Sequence, residues 1–390
     1  RVSLAPRSTW AVTDVSEPRE QWEASTGPRR ETSGAPGVGR VGGTAPSTVP
    51  AAAQRIAVVV NGNAKSVTDD VISTLDQILL GGDLFVSRRI EDARQIAETL
   101  VERGYGTVLT GGGDGTFTTV VTEVVHAARR RERKLPRFGL LKLGTGNALA
   151  WVVGASQAKG RGLSADIQRL QNDAGSREIR LVEVEGYLTP FAGLGADAQV
   201  LADYNLTKRR LSKTPLRAVA AGPVSYAVAA VTRSLPGYLL KKMPHFRVIN
   251  DGAPAYRVGE KGAIIGRGIE PGETIFEGPA RLCAMSTIPY YGFGFRMFPF
   301  ADERGDRMHL RLSTISPTIF VRHFGAIWRG DFHRPDVLFD YLVEKVVIES
   351  DPPMAFQIGG DAHGERARVA ARITPEPIRL VDFYAPPSAS

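Results

Sequence analysis

The chain is poor in cysteine: Cys283 is the only one in 390 residues, so no internal disulfide can brace the fold. Its neighbours, Arg281-Leu282 and Ala284-Met285, read as a buried strand position rather than the setting of a nucleophile, and the shortage fits a reducing, cytoplasmic compartment. Long apolar runs are missing too. The best candidate, residues 218–231, is interrupted by Gly222-Pro223, and this excludes a membrane-spanning helix. Residues 1–54 lack apolar periodicity and are rich in Pro, Gly, Ser, Thr and Arg. They are expected to be a disordered or artefactual extension, and with Glu17, Glu20, Glu23 and Glu31 they read as neither a signal peptide nor a presequence. Acids are scarce between 203 and 242, where eight basic residues face the single Asp203. Aromatic residues are too thin there for base stacking, which argues against nucleic acid, whereas the basic and apolar mixture suits an anionic membrane surface or, equally, an ordinary solvated helix pair.

What is present begins with Gly111-Gly112-Gly113-Asp114-Gly115-Thr116. The run Gly106–Thr110 before it reads as a buried strand, and Phe117–Ala128 after it has apolar residues at helical spacing. A strand, a glycine turn and a helix start make an anion site, because the backbone can approach phosphate oxygens closely and the helix N-terminus presents free N–H groups. The turn has neither the Lys-Ser/Thr ending of a Walker loop nor the glycine spacing of a dinucleotide fingerprint. Asp114 is the unusual member. A carboxylate beside phosphates needs a metal ion or a mobile proton between them, which points to phosphoryl transfer; the competing reading is that Asp114 merely caps its own helix.

A second such unit follows, with a strand at Phe138–Leu143, the turn Gly144-Thr145-Gly146-Asn147 and an apolar helix at Ala148–Val153. Parallel strands place both turns on one sheet edge, where a single phosphate chain could meet them. Upstream, a strand at Ile56–Val60, a helix near Thr68–Leu80, a strand at Leu84–Ser87 and a helix near Ile90–Arg103 complete a three-layer α/β domain over 55–178. From 179 to 390 short period-two runs, among them His245–Ile249, Met308–Leu312, Val346–Glu349 and Arg368–Ile373, predict a β-sandwich with a helical insertion near 203–242 and last strands returning toward the first domain.

Gly-Gly-Asp-Gly-Thr followed by Leu-Gly-Thr-Gly-Asn resembles the catalytic domain of diacylglycerol kinases and their bacterial lipid kinase, sphingosine kinase and ceramide kinase relatives, across roughly residues 55–386. The resemblance implies an NAD kinase-like α/β domain that holds ATP with Mg2+, a β-sandwich from which a lipid hydroxyl approaches, and a cleft between them. It places Asn61, Ser87, Gly111, Gly112, Gly113, Gly115, Thr116, Gly144, Thr145 and Asn147 around the nucleotide. As bare chemistry Asn61 can equally cap a turn, and Lys65 is an attractive phosphate ligand without a counterpart in the family. Asp197, in Gly193-Leu194-Gly195-Ala196-Asp197-Ala198, is implied at the lipid headgroup; its alternative is a plain turn aspartate. Asp306 stands where some bacterial relatives hold a structural magnesium, although Arg307 replaces the accompanying glycine.

Two departures matter for chemistry. Ala148 replaces an aspartate that usually follows the asparagine, and Gly359-Gly360-Asp361 replaces Asp-Gly-Glu, so that Asp361 stands for the expected base with one methylene less reach. Glu365 is its rival, and Asp114 is the favoured base in the sphingosine kinase branch. The expectation is therefore an ATP- and Mg2+-dependent kinase, peripheral to the membrane through 203–242, acting on a diacylglycerol-, sphingoid- or phosphatidylglycerol-like hydroxyl. The alternative is a nucleotide- or lipid-binding regulator with weak or no activity, a kinase acting on a soluble dinucleotide is the third reading, and a homodimer is left open.

Overall fold

The computed structural model describes residues 55–385, apart from 65–66, 80–82, 145, 157–161, 172–174, 196–197 and 199–242. The N-terminal extension, Lys65, Thr145, Asp197 and the basic insertion near 203–242 therefore lie outside the described residues.

In chain order the first elements are β1 (Ile56–Asn61), α1 (Asp69–Leu79), β2 (Leu84–Ser87), α2 (Ile90–Arg103), β3 (Thr107–Gly112), α3 (Asp114–Arg130), β4 (Arg137–Lys142), α4 (Ala148–Val153), α5 (Gly162–Gln171) and β5 (Ser176–Ile179). Ala57, Val58, Val59 and Val60 are all fully buried, the signature of a parallel strand covered on both faces. Helix α2 starts where the Asp92 carboxylate accepts the N–H groups of Arg88 and Arg89, both at 2.9 Å, and stops at Gly104, whose φ of 66° is the left-handed cap glycine supplies without strain. The polypeptide continues through β6 (Val182–Val184), β7 (Tyr187–Thr189), β8 (Phe191–Gly195), β9 (His245–Asn250), β10 (Ala255–Val258), β11 (Ile264–Ile269), β12 (Thr274–Pro279), β13 (Leu282–Ser286) and β14 (Met308–Ser313). Two short helices, α6 (Pro317–Arg322) and α7 (Phe324–Arg329), precede β15 (Leu338–Val343), β16 (Lys345–Ile358), β17 (Asp361–Ile373) and β18 (Ile378–Val381).

The strands form two sheets, confirming the expected pairing of an α/β layer with an all-β layer. The first has the order β2-β1-β3-β4-β18-β5, parallel except for β5, which runs antiparallel to β18. The second has twelve strands, β6 to β17, in antiparallel ladders. Strand β16 organises it: one edge pairs with β17, while the other pairs with β9 through 346–351 and with β8 through 356–358. Its apolar residues, with those of β6, β8, β9, β13 and β14, enclose a core that contains Cys283, fully buried in β13 as the sequence suggests.

Helix α3 links the layers. Phe117 packs into the α/β core with no exposure, a burial that contributes roughly 1.5–3 kcal/mol. On the β7 side, Thr122 Oγ1 accepts the Leu188 N–H at 2.9 Å and Thr118 Oγ1 donates to Thr189 Oγ1 at 3.1 Å. The same helix thus has one flank in each sheet's territory.

Two short α-helices, α6 and α7, stand where period-two patterning predicts only strands. Pro317 at the first helical position and the Ser316 hydroxyl, which accepts the Ile319 N–H, start α6.

Candidate active site

The first glycine turn is tighter than the sequence implies. Gly111 and Gly112 belong to β3, Gly113 alone forms the turn, and α3 begins at Asp114. A side chain on Gly112 would occupy the space of Thr116, and one on Gly144 would run into the Gly113 backbone, so the two turns meet main chain to main chain. Asn147, at φ 48°, turns the chain into α4 and spends its side chain on Gly144, whose N–H it accepts at 3.2 Å.

Asp114 is 7% exposed and caps α4, not its own helix: Oδ2 accepts the Ala148 N–H at 2.8 Å and Oδ1 the Leu149 N–H at 3.1 Å. Burial is the main cause that pushes its carboxyl up to about 6; the two N–H groups pull it down and the nearby Asp361 raises it further. The carboxylate therefore fastens one glycine turn to the other.

The facing wall is the β16–β17 hairpin. Ile358 and Asp361 pair across a two-residue loop, Gly359 and Gly360, whose φ values of 56° and 83° need residues at ease in the left-handed region. The Gly359 N–H donates to the Phe191 carbonyl at 3.0 Å, and the Gly360 N–H to Oε1 of the fully buried Gln357 at 2.9 Å. Gly359 also lies against Thr118 and Thr189, where no Cβ would fit. This seat on α3 brings the Asp361 carboxyl against Gly115, so that a side chain at 115 would strike it. Asp361 is exposed as a residue at the hairpin tip, yet its carboxyl reaches far enough inward for burial to raise its pKa. Glu365 is exposed on β17, paired with Ala355, and takes no part in the cleft.

Between these walls lies a cleft of about 140 Å³ that gathers Asn61, Ser87, Gly115, Thr116 and Asp361 from four different elements or their ends. Asn61 ties them: its Nδ2 donates to Thr116 Oγ1 at 3.2 Å and its Oδ1 accepts the Asn63 N–H at 2.9 Å. The Ser87 hydroxyl donates to the Arg89 carbonyl at 3.1 Å. Gly111, Gly112, Gly113, Gly144 and Asn147 do not line this cleft; they build the turns behind it. Sequence reasoning missed Arg88 and Arg89, which border the cleft beside Asn63. A pair of guanidinium groups directly after a strand end was the available signal. With the α3 N-terminus they make the cleft suited to a polyanion, and Asp361 adds a group able to take a proton.

Asp306 does not fit a cation. Its oxygens are held by two guanidinium groups, Arg304 Nε at 3.2 Å and Arg307 Nη1 at 2.6 Å, and the arginines hold its carboxyl below the usual range against the opposing effect of partial burial. Among the described residues no group of three or more His, Cys, Asp or Glu side chains is assembled for a metal.

The family model of the diacylglycerol kinase catalytic domain matches residues 55–183, the stretch from β1 into β6 that carries both glycine turns. That match covers about a third of the chain. Among curated proteins, the probable lipid kinase YegS of Shigella flexneri is 36% identical over 76 residues, 20% of this chain and 24% of the relative, so the match spans about a quarter of that protein. The crystal structure of a diacylglycerol kinase from Bacillus anthracis str. Sterne superposes with a TM-score of 0.52 at 11% identity, covering 84% of this chain and 97% of that one. At that identity the likeness establishes the fold. The two-layer fold thus resembles that structure over 84% of the chain, while the match to the family model is confined to residues 55–183.

Proposed function

We propose that this protein is a lipid kinase that moves the γ-phosphate of MgATP to the hydroxyl of a membrane lipid of the diacylglycerol, sphingoid or phosphatidylglycerol type. The observation that carries the reading is the seating of Asp361, from the second sheet, against Gly115 at the start of α3. A kinase of this kind needs an anion cradle facing a base, and that contact supplies the juxtaposition.

In this reading the nucleotide's phosphates lie along the α3 N-terminus between Asn61, Thr116 and the Arg88–Arg89 pair, with magnesium arriving as part of the nucleotide. The lipid hydroxyl enters from the β-layer. Asp361 accepts its proton as the oxygen bonds to the γ-phosphorus and the bond to the ADP oxygen breaks; most of the barrier reduction comes from positioning and charge neutralisation. Asp114 works from beneath, holding the two turns in register, while burial keeps the Asp361 carboxyl basic.

Incubation with labelled ATP and vesicles containing diacylglycerol, sphingoid base, ceramide or phosphatidylglycerol should yield a phosphorylated lipid. Asp361→Asn should lower turnover about 10²–10⁴-fold with ATP affinity retained. No labelled lipid from any acceptor, beside an active control kinase, would overturn the reading. ATP binding without turnover would instead favour the regulator, a reading supported by Ala148 and by the shorter reach of Asp361.

A further inference from the structure

Helices α6 and α7 carry an apolar face that the fold leaves open. Ile327 is buried against Phe332 and Leu338 and anchors the pair, while Phe320, Val321 and Phe324 are 37%, 59% and 45% exposed. Three aromatic rings pack in a row along this face: Phe320 edge-on to Phe324 at 5.7 Å and Phe324 tilted against Trp328 at 5.3 Å between centroids. The row continues inward, since Trp328 stacks on Phe295 at 5.2 Å with planes 19° apart and its carbonyl accepts the Arg296 N–H at 2.9 Å. Phe295 belongs to the loop whose Phe293 N–H donates to the Gly146 carbonyl at 3.0 Å, within the second glycine turn. On that loop's other side Trp151, 41% exposed, packs against Gly294 beneath Lys142. A continuous path of packed groups thus joins the open apolar face to the candidate active site.

We infer that the α6–α7 face docks on an anionic lipid bilayer, with Phe320, Val321 and Phe324 entering the interfacial region. The charge around the face selects this occupant. Residues 317–331 contain Arg322, Arg329 and His323 against a single acid, Asp331, which pairs with Arg329 at 2.8 Å, and Arg322 is exposed beside Val321. A second copy on the same face would oppose arginine to arginine, and segment 203–242, with eight basic residues against one acid, is likewise mismatched in charge. Anionic headgroups complement Arg322 while aromatic and branched side chains take the acyl boundary. The inference rests on the lipid-kinase reading only for what is delivered: a surface joined to the glycine turns would present the cleft to a hydroxyl at the membrane.

The test is co-sedimentation of the full chain, without ATP, with vesicles of phosphatidylcholine alone or mixed with phosphatidylglycerol. The wild type should partition at least tenfold more strongly onto the mixed vesicles. Phe320→Ser/Phe324→Ser should lose at least tenfold of that binding, and Arg322→Glu several-fold, with unchanged circular dichroism and ATP affinity. Vesicle binding equal to wild type in both variants, no binding by the wild type, or a change in sedimentation coefficient that marks the face as a self-interface would each overturn the assignment. Because this readout needs no turnover, it stands or falls independently of the kinase reading. If turnover is present, the double variant should lose it on vesicles and keep it on a water-soluble short-chain acceptor.

Discussion

Replacing Asp114 with asparagine tests the electrostatics of the glycine turns apart from any catalytic assay. The wild-type carboxyl is moved from 3.8 to about 6, chiefly by burial. Below pH 3.8 it is protonated in folded and unfolded chains alike. Between 3.8 and 6 the unfolded chain releases the proton and the folded one keeps it; above 6 both are ionised and the folded state bears the whole desolvation cost, about 3 kcal/mol at 1.36 kcal/mol per pH unit. The stability contributed by the protonated group is therefore complete at low pH and lost as pH rises through 6. Asparagine does not titrate. Its single oxygen can serve only one of the Ala148 and Leu149 N–H groups, a pH-independent loss of about 1 kcal/mol. Urea unfolding of both proteins at closely spaced pH values between 4 and 7.5 should show the difference in stability moving by up to about 3 kcal/mol in favour of the variant. In an Asp361→Asn background, without the neighbouring like charge, the inflection should shift to lower pH. A difference that stays flat across this range would refute the buried, ionisable clasp.

Gly115→Ala places a methyl group where the Asp361 carboxyl lies but improves helix propensity by about 1 kcal/mol, so the melting temperature should hold while turnover falls on the order of a hundredfold; turnover equal to wild type would remove the contact from the mechanism. Asp340→Ala strips the buried Arg311 of its bidentate partner, at 2.6 and 3.0 Å, and His309 of its contact at 2.9 Å, and should cost about 3–5 kcal/mol in chemical denaturation. Asp306→Ala removes a half-exposed ion pair and should cost less than about 1 kcal/mol, and without nucleotide the wild-type melting curve should be the same in EDTA as in magnesium; a melting temperature that rises with magnesium would restore Asp306 as a metal ligand.

The α/β layer was legible because its signals are local. Strand β2 and helices α2 and α4 fall on their expected residues, since a run such as Leu84–Ser87 or an amphipathic stretch such as Ile90–Arg103 carries its own period. The turns were readable as chemistry but not as geometry: nothing near Asp114 says that its acceptors are the N–H groups of Ala148 and Leu149, which depend on how two crossovers pack. The contact of Asp361 with Gly115 joins distant positions and had no signal in the sequence; the family resemblance suggested only an acid at 361 serving the same site. In the β-layer the short runs at 346–349 and 368–373 are fragments of two long strands, β16 and β17, and Gly359-Gly360 was the hairpin signal that would have connected them. Helices α6 and α7, six residues each, are too short to display even two turns of apolar periodicity, although Ser316-Pro317 announced the first of them.

The place of β18 has a consequence for biosynthesis. This strand comes from the very end of the described chain, yet it sits between β4 and β5 in the first sheet. While the ribosome is still making the β-layer, the β4 edge has no neighbour on that side, and the α/β layer waits as an incomplete platform until residues 378–381 emerge. A fragment ending at 183 would contain every glycine of both turns and still expose the β4 edge to other chains, so it should aggregate rather than work as a minimal enzyme.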